Sequence, residues 1–388
     1  MGWGQRLRIA LLGTRGIPAN YGGFETCVEE LAPRLAALGH DVTVYCRRPH
    51  ISYSDDTYRG VKLVKLPTIR NKYLDTIVHT SLSAIHALVR RYDVVFMFGV
   101  GNSPVCFMLR AGRIPVLLNV DGLDWQREKW PAIARHMLKL AGWLSVKAAN
   151  RTITDSRNVQ DYYRATRGVE MSYIPYGATP GPAEQNGVLR RHGLEPEHYF
   201  LYVGRLEPEN RIADIVEAAA LADVGMPVVI VGDAPYAGRY IRSLKARAGE
   251  RVQFTGAIYG DGYWELNHFA YAYIFPVSSS GTHPALIEAM ACGDCILARD
   301  TPDNRTVGGD TVRYFADVEE LAGLMRWARE SPDAVQRLGR MAAERAVELY
   351  DWDRVTAEYL TLAEQVRAER RHSRWPLSRR NRDHATGA

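Results

Sequence analysis

Residues 8–25 form the run Arg8-Ile-Ala-Leu-Leu-Gly-Thr-Arg-Gly-Ile-Pro-Ala-Asn-Tyr-Gly-Gly-Phe-Glu25. Apolar residues at 9–12 predict a buried strand, glycines at 13, 16, 22 and 23 predict a loop, and a helix is expected from about Phe24. Backbone amides of such a loop can approach an anion closely, and the helix N-terminus adds a positive dipole end. The run therefore predicts a phosphate site, with a nucleotide diphosphate as the first candidate. A long turn whose glycines serve geometry alone is the alternative.

The glycine spacing does not fit a dinucleotide-binding fingerprint. That fingerprint needs G-x-G-x-x-G directly after the strand, whereas Gly13 and Gly16 are three positions apart and the pair Gly22–Gly23 comes later. A dinucleotide site also needs an acidic residue after the second strand, where Arg47 and Arg48 stand. A nicotinamide dehydrogenase is therefore the weakest hypothesis for this chain.

The composition is typical of a soluble globular chain. Its 388 residues predict two or three domains, 46% of them are hydrophobic, 24% are charged, and the net charge of +5 is mild. Because Lys and Arg are scattered until the C-terminus, we expect no nucleic-acid partner. Five cysteines, among them Cys292 and Cys295 with C-x-x-C spacing, are expected as free thiols in a reducing cytoplasm. We expect a cytoplasmic protein, because the sequence has neither a signal pattern nor an apolar run of spanning length.

Strand and helix patterns alternate along the chain, which favours parallel sheets covered by helices. The Gly- and Pro-rich segment 177–187 interrupts this alternation and predicts a hinge near residue 180. We therefore expect an α/β fold of two doubly wound domains, residues 1–178 and 179–345, with a ligand in the cleft between them. Residues 346–369 predict a C-terminal helix that packs back toward the first domain, and residues 370–388 predict a basic, disordered tail.

The first motif of the second half is Tyr202-Val-Gly-Arg-Leu-Glu207, in which a strand ends at Gly204. An arginine at the mouth of a parallel strand can pair with a phosphate bidentately, so Arg205 is expected on the donor phosphates. A surface ion pair with Glu207 or Glu209 is the alternative.

The second motif spans residues 276–293, where a strand ends at Pro276 and a Ser/Gly/Thr loop leads to a helix with Pro284 in its first turn. Free amides at 282–286 would form an anion site at the start of this helix. Glu288, one turn in, can accept hydrogen bonds from both hydroxyls of a ribose. A carboxylate that only stabilises the helix dipole is the alternative.

Taken together, these motifs resemble those of retaining glycosyltransferases of family 4, which have the GT-B fold. The run from Gly13 to Glu25 is similar to that of a bacterial subgroup that often includes rhamnosyltransferases of capsule and exopolysaccharide assembly. The resemblance covers roughly residues 7–350 and implies two doubly wound, Rossmann-like domains facing across a cleft. It implies transfer of a hexose, rhamnose in this subgroup, from a nucleotide-diphosphate sugar to a saccharide or polyprenyl-linked saccharide.

The resemblance also implies roles for single residues. Gly22 and Gly23 would lie against the donor diphosphate, Arg205 would neutralise it, and Glu288 would hold the donor ribose. The phosphate and sugar pocket would be lined by backbone groups of Thr282, Pro284, Ala285 and Leu286. The base would be flanked by the loop that runs from Gly256 through Ile258 to Tyr259.

For catalysis, negative charge develops on the leaving phosphate, so fixed positive groups there should contribute most. The expected catalytic residues are Arg205, Glu288 and Asp121, the last of which would orient or deprotonate the acceptor, or pair with Arg127. No metal and no other cofactor is expected. The acceptor side is expected to include Tyr21, Glu25, His79, Trp125 and Arg127, although His79 is as readily explained as a core histidine.

The sequence departs from the family pattern at two positions. The family commonly has a carboxylate eight residues before Glu288, where Ser280 stands, and a lysine after the Gly-Arg motif, where Asn210 stands. The first departure bears on how the sugar hydroxyls are held, and a 6-deoxy sugar such as rhamnose offers one hydroxyl fewer. For the second, Arg211 is expected to supply the missing charge on the donor.

A lipid-linked acceptor would bring the protein to a membrane surface. Residues 130–151 combine Arg135, Lys139, Lys147 and Arg151 with apolar side chains, which indicates a helix that could lie on the inner face of the cell membrane. The Arg-rich tail would add attraction to anionic lipid. A core helix with a solvated tail is the alternative.

Two other function classes stay open at this point. A sugar-nucleotide 2-epimerase on the same fold would need a catalytic acid–base pair around the sugar, and no second carboxylate lies near Glu288. A non-catalytic nucleotide-sugar-binding scaffold is kept open by Ser280. The sequence alone identifies neither the base, the sugar, the acceptor nor the linkage.

Overall fold

The fold is given by a computed structural model, which describes residues 5–374 apart from 20, 21, 70, 72, 73, 121, 127–130, 235, 279 and 280. The chain divides into two compact units. Unit 1 comprises Met1–Pro175 and Trp352–Ala388, and unit 2 comprises Tyr176–Asp351. Within the described residues, none of the helices is both long enough and apolar enough to span a bilayer.

In the described part of unit 1, eight strands form one sheet in the order β3-β4-β2-β1-β5-β6-β7-β8, with every neighbouring pair parallel except the edge hairpin β3–β4. The strands β1 and β5 are neighbours at the point where the strand order reverses. The strands are β1 (Arg8–Leu12), β2 (Asp41–Arg47), β3 (Thr57–Tyr58), β4 (Val61–Leu66), β5 (Val94–Phe98), β6 (Val116–Asn119), β7 (Arg151–Thr154) and β8 (Ser172–Tyr173).

Helices cover this sheet because its central strands are buried on both faces. All five residues of β5 are buried and apolar, as expected for a strand inside a parallel sheet. Helix α5 begins directly after Ser156, whose side chain caps the helix by accepting a hydrogen bond from the Val159 amide at 3.1 Å. The helices are α1 (Gly23–Ala37), α2 (Asp75–Arg90), α3 (Ser103–Ala111), α4 (Ala132–Ala148) and α5 (Arg157–Arg167).

In the described part of unit 2, six parallel strands form a second sheet in the order β11-β10-β9-β12-β13-β14, so that the order reverses between β9 and β12. The strands are β9 (Phe200–Val203), β10 (Val228–Val231), β11 (Val252–Gly256), β12 (Ala272–Phe275), β13 (Ile296–Arg299) and β14 (Val312–Phe315). The helices are α6 (Val188–Arg191), α7 (Ile212–Ala222), α8 (Gly238–Arg247), α9 (Asp261–His268), α10 (Pro284–Cys292), α11 (Pro302–Gly308), α12 (Val318–Glu330) and α13 (Pro332–Leu349).

The last helix, α14 (Trp352–Arg374), belongs to unit 1 although it follows unit 2 in the chain. Its Tyr359 is buried, lies with its ring 5.5 Å from that of Phe96, and accepts a hydrogen bond from the Asn119 side chain at 2.8 Å. At its N-terminus Asp353 pairs with Arg34 of α1 at 3.0 Å. The helix is thus fixed to the sheet of unit 1 by both apolar and polar contacts.

The expected α/β class with two doubly wound domains is confirmed, while several single elements differ from expectation. The sequence pattern predicts one amphipathic helical stretch over 318–349, which the structure divides at Ser331, because Pro332 disfavours helical dihedrals in the residue before it. The pattern also predicts a short strand at 173–176, where the structure has β8 at Ser172–Tyr173. The predicted elements did not include β3, β14, α3, α5, α6 or α11.

Close backbone approach at the reversal point of unit 1 requires glycine. Gly13, directly after β1, has a φ of +103°, and a Cβ there would lie 2.3 Å from the carbonyl oxygen of Phe98 at the end of β5. Such a distance is far below van der Waals contact, so any side chain would force the two strand ends apart.

We expect Gly13→Ala to destabilise unit 1 by roughly 3 kcal/mol or more, since it adds a backbone clash to the cost of a left-handed alanine. Gly39→Ala is the matched control, because Gly39 has a φ of +90° but a Cβ there would have no neighbouring atom within 4 Å. Chemical denaturation of the two variants measures the difference. Equal loss of stability in both would contradict the role given to the strand contact.

Candidate active site

The donor residues expected in unit 2 follow two strands that pair with each other. Arg205 comes after β9 and Glu288 lies on α10, which follows β12; β9 and β12 are hydrogen-bonded neighbours at the reversal of strand order. The Tyr273 hydroxyl of β12 also donates to the carbonyl of Val203 at the end of β9, at 3.1 Å. Ligands of doubly wound sheets bind at this kind of position, outside the carboxyl ends of the strands.

The Gly-Arg turn is held by its own neighbours. The Asn210 side chain donates to the backbone carbonyl of Arg205 at 2.8 Å. The Arg205 guanidinium, 38% exposed, lies 3.3 Å from the buried carboxylate of Glu207, which also accepts from the Tyr236 hydroxyl. The alternative considered from the sequence, an ion pair between Arg205 and Glu207, is therefore present. It does not exclude a phosphate, because a guanidinium has five N–H donors.

A second arginine pair lies at the N-terminus of α7. Arg211, in a left-handed conformation with a φ of +55°, places its Nε 2.8 Å from Asp214. The same carboxylate oxygen lies 3.4 Å from Nη1 of Arg299, the last residue of β13. The sequence analysis missed Arg299, although the signal is the one used for Arg205: an arginine at the carboxyl end of a parallel strand.

The start of α10 is the position at which the sequence predicts an anion site. Pro284 is at its first position, and the residue before it, His283, makes no side-chain cap. The amide of Leu286, expected to be free, donates to the His283 carbonyl at 3.0 Å. The hydroxyl of buried Thr282 accepts from the Tyr176 amide at 3.2 Å, so this side chain supports the loop. Ala285 lies between Pro284 and Leu286 in the first turn of α10.

The remaining donor residues of unit 2 lie at the same edge of the sheet. Gly256 ends β11 with a φ of +78°, and its carbonyl accepts from the amide of Gly232 after β10 at 2.9 Å. Ile258 is half-buried and Tyr259 is 77% exposed. Glu288 is half-buried and its carboxylate accepts from the Tyr263 hydroxyl of α9.

The glycine loop of unit 1 is pinned to α1 by two carboxylates. Glu25 accepts from the Arg15 amide at 2.9 Å, and Glu29 accepts from the Ala19 amide at 3.0 Å. The Gly16 amide donates to the Thr14 hydroxyl at 3.2 Å, so three amides of the loop are engaged by the protein itself and are not available to a phosphate. Burial raises the pKa of Glu25, although the Arg15 amide and the charges of Arg15 and Arg47 oppose this shift.

A buried polar cluster under this loop was missed by the sequence analysis. Arg47, the last residue of β2, lies 2.9 Å from Asp75 and donates to the Gly13 carbonyl at 2.9 Å. His50 lies 3.2 Å from the same carboxylate. Burial is the largest single effect and raises the pKa of Asp75, but the charge of Arg47, hydrogen bonds from Thr68 and Arg47, and the charge of His50 together outweigh it, so the net shift is downward. The signal in the sequence is Arg47 after the second strand, which by itself only disfavours a dinucleotide site.

His79 of α2 lies in this cluster and is fully buried. In the described part of the chain, neither of its ring nitrogens has a hydrogen-bonding partner. Burial lowers the pKa of His79 to about 4, and the charge of Arg47 contributes in the same direction. The ring is therefore neutral near pH 7, and it fits the alternative of a core histidine better than contact with an acceptor.

Of the other expected residues, Tyr21 and Arg127 of the acceptor side and the catalytic candidate Asp121 lie outside the described residues, as does Ser280. Trp125 packs against the Tyr162 ring at 5.9 Å and lines a shallow pocket with Arg135, His136 and Lys139 of α4.

Cys292 and Cys295 are free, and burial raises the pKa of both thiols, so they are unreactive near neutral pH. Among the described residues, no group of three or more His, Cys, Asp or Glu could hold a metal ion.

Comparison with known proteins agrees with this architecture. Residues 7–179 match the model of a domain of unknown function, DUF1972, and residues 189–345 match that of glycosyl transferases group 1. Glycogen synthase of Mycobacterium tuberculosis is 25% identical over 96% of this chain and 97% of that protein. MMP alpha-(1->4)-mannosyltransferase of Mycolicibacterium hassiacum is 26% identical over 93% and 98%. D-rhamnosyltransferase WbpZ of Pseudomonas aeruginosa is 24% identical over 53% and 55%.

Solved structures share the fold over most of the chain. Sucrose-phosphate synthase from Thermosynechococcus elongatus superposes with a TM-score of 0.79 at 22% identity, covering 94% of this chain and 100% of that one. Anabaena HepE in complex with UDP-glucose gives a TM-score of 0.73 at 16% identity, covering 95% and 100%. The match of residues 189–345 to glycosyl transferases group 1, together with these shared folds, supports a glycosyltransferase, and the expectation of the GT-B fold is confirmed.

The buried His79 generates a prediction about pH. Its folded pKa of about 4 lies below the ordinary value of 6.5, so the folded state resists protonation that the unfolded state accepts. The resulting loss of folding free energy is absent above pH 6.5, grows as the pH falls, and reaches its limit near pH 4. At pH 5 it amounts to about 2 kcal/mol.

We therefore expect His79→Leu to gain about 2 kcal/mol of stability relative to the wild type when the pH is lowered from 7 to 5. Denaturant titrations at both pH values measure this gain. His136→Gln, at an exposed position of α4, is the control and should follow the wild type. Parallel curves for His79→Leu and the wild type would show that the buried ring does not titrate as described.

Proposed function

We propose that this glycosyltransferase moves a sugar from a nucleotide-diphosphate donor to a saccharide or lipid-linked saccharide, with retention of anomeric configuration and without a metal ion. The observation that carries the proposal is the placement of Arg205 and of the α10 start with Glu288 after β9 and β12, which are paired at the reversal of strand order. One position supplies positive charge for a diphosphate, and the other supplies a helix N-terminus and a carboxylate for ribose.

The proposed chemistry stabilises the leaving group. As the bond between the sugar C1 and the diphosphate oxygen breaks, negative charge grows on the phosphate, and positive groups already in place lower the energy of that state. Arg205 is the first such group, with Arg211 and the α10 amides as further candidates. We propose Asp121 as the residue that orients the acceptor hydroxyl, which attacks on the face that the diphosphate leaves.

For the sugar, we propose rhamnose, in the assembly of a capsule or exopolysaccharide. Support comes from the resemblance of the run Gly13 to Glu25 and from the D-rhamnosyltransferase relative. The glycogen synthase and mannosyltransferase relatives match over more of the chain, so a donor panel has to include glucose and mannose nucleotides beside those of rhamnose.

We further propose that unit 1 binds an anionic membrane surface, which would bring the enzyme to a polyprenyl-linked acceptor at the inner face of the cell membrane. The surface consists of α2, α3 and α4, of which α2 contacts α3 and α3 contacts α4. Nine large apolar side chains on these helices are between 37% and 78% exposed. They are Leu82, Ile85, Val89, Phe107, Met108, Ile133, Met137, Leu140 and Trp143.

The charges on this three-helix surface favour an anionic lipid bilayer over a protein partner of mixed charge. The sequences of the three helices contain a single acidic residue, Asp75, and that carboxylate is paired with Arg47. Their basic residues are all exposed: Arg90, Arg110, Arg135, Lys139 and Lys147. Apolar side chains among basic ones suit the boundary between lipid headgroups and acyl chains.

The donor proposal is tested by calorimetric titration of the full chain with UDP, ADP, GDP and dTDP, followed by the glucose, mannose and rhamnose nucleotides of whichever base binds. We expect Arg205→Ala to weaken binding of the preferred nucleoside diphosphate about 10- to 100-fold, because charged hydrogen bonds to phosphate are lost. Arg242→Ala, at an exposed position of α8, is the control and should bind as the wild type does. Binding of none of the four nucleotides would refute a nucleotide-sugar donor, and a scaffold or a different ligand would take its place.

The membrane proposal is tested by sedimentation with vesicles of phosphatidylglycerol and phosphatidylcholine. We expect Met137→Glu combined with Leu140→Glu to reduce vesicle binding about tenfold or more, since both apolar burial and charge attraction are lost. The control combines Leu221→Glu with Val347→Glu, which are equally exposed apolar positions in unit 2. Equal binding by the two double variants, or equal binding to vesicles without phosphatidylglycerol, would count against the three-helix surface.

A further inference from the structure

Tyr263 makes a hydrogen bond that none of the functions above requires. It lies on α9, which contacts α10, and its hydroxyl donates to Oε2 of Glu288. Burial, and then the neighbouring Glu288 carboxylate, raise the pKa of Tyr263 well above its ordinary value. The phenol therefore keeps its proton and acts as the donor, with Glu288 as the acceptor.

The helix that carries Tyr263 is anchored on its other side. Glu265, fully buried, accepts from the amides of Asn186, Val188 and Leu189 at 2.9 to 3.0 Å and so caps α6. The His268 ring lies 2.8 Å from the carbonyl of Gly181. Because these contacts hold α9 in place, they also fix the position of the Tyr263 hydroxyl beside the Glu288 carboxylate of α10.

The same helix begins directly after the loop 256–260, which is proposed to flank the base. The Tyr263 ring also packs edge-on against Trp264 at 4.8 Å, and Asn267 donates to the Tyr263 carbonyl at 2.8 Å. A single rigid element thus connects the proposed base contact with the proposed ribose contact. A carboxylate has about four acceptor positions, so the hydrogen bond from Tyr263 occupies one of them and orients the carboxylate group as a whole.

We propose that Tyr263 is a positioning residue that orients Glu288 toward the two ribose hydroxyls and thereby sets the preference for ribonucleotides over 2′-deoxyribonucleotides. The proposal rests on the proposed function, because it takes Glu288 to be the ribose ligand. A carboxylate free to rotate would still meet one hydroxyl but would hold both less well. Loss of the phenol should therefore affect discrimination at the 2′ position more than binding of the diphosphate.

The test compares binding of a nucleoside diphosphate with that of its 2′-deoxy form, using the full chain and the base that the wild type prefers. A wild type that binds dTDP more tightly than UDP, ADP and GDP would overturn this inference, because dTDP lacks the 2′ hydroxyl, and would leave the donor proposal intact. For the wild type we expect about tenfold tighter binding of the ribonucleotide, the value of one good hydrogen bond. Tyr263→Phe should lower this ratio to about two, while binding of inorganic pyrophosphate stays unchanged. Glu288→Gln should lower the ratio as well, and the double variant should fall no further.

The matched control is Tyr271→Phe, which removes a tyrosine hydroxyl bonded to the Ala328 carbonyl elsewhere in unit 2. Its ratio should equal that of the wild type. A wild-type ratio retained by folded Tyr263→Phe would overturn the role of Tyr263 while leaving the donor site intact. Absence of nucleotide binding by the wild type would instead overturn the proposed function, and this inference with it.

A second variant keeps the test decisive if Tyr263→Phe does not fold. Glu288→Asp shortens the side chain, which withdraws the carboxylate from the fixed hydroxyl without disturbing the α9 contacts. We expect it to lower the ribose preference about fivefold, and the affinity for inorganic pyrophosphate, measured in parallel, separates this loss from a loss at the diphosphate. A retained ribose preference would show that the fixed distance to Tyr263 does not set discrimination.

Discussion

Two parallel sheets of this chain depend on strand ends that approach more closely than any side chain allows. In unit 2 a Cβ on Gly232 would lie 1.8 Å from the carbonyl oxygen of Gly204, and in unit 1 Gly13 meets the end of β5 in the same way. These contacts bring the loops after neighbouring strands to one edge of each sheet. The residues that follow Gly204 and Gly13 are the ones on which the proposed donor site and the glycine loop depend.

The degree of burial of an arginine at the end of a strand determines which partners it can bind. Arg47, the last residue of β2, is 5% exposed, and its guanidinium is engaged by Asp75 and the Gly13 carbonyl. Arg205, after β9, is 38% exposed and meets Glu207 at the surface of unit 2. Burial makes the first a structural ion that supports the loop above it. Exposure leaves the second able to exchange one anionic partner for another.

The sequence predicted those parts of the fold that follow from local pattern. Central strands such as β5 and β10 are continuous apolar runs, and Pro284 and Gly293 mark the ends of α10, so these elements could be located from one chain. It could not show that Glu25 and Glu29 bind amides of the glycine loop, because those bonds depend on the angle at which α1 leaves the loop. It missed the cluster of Arg47 and Asp75 for a similar reason, since 28 residues separate the partners.

The departure at Asn210 has a structural reason that composition alone does not reveal. Its side chain fixes the carbonyl of Arg205, a bond that a lysine could not make with the same short reach. At this edge of unit 2, Arg205 is paired with Glu207, and Arg211 and Arg299 share Asp214. We propose that these neighbouring arginines supply the charge expected from a lysine at position 210, while the Asn210 side chain holds the backbone from which Arg205 extends.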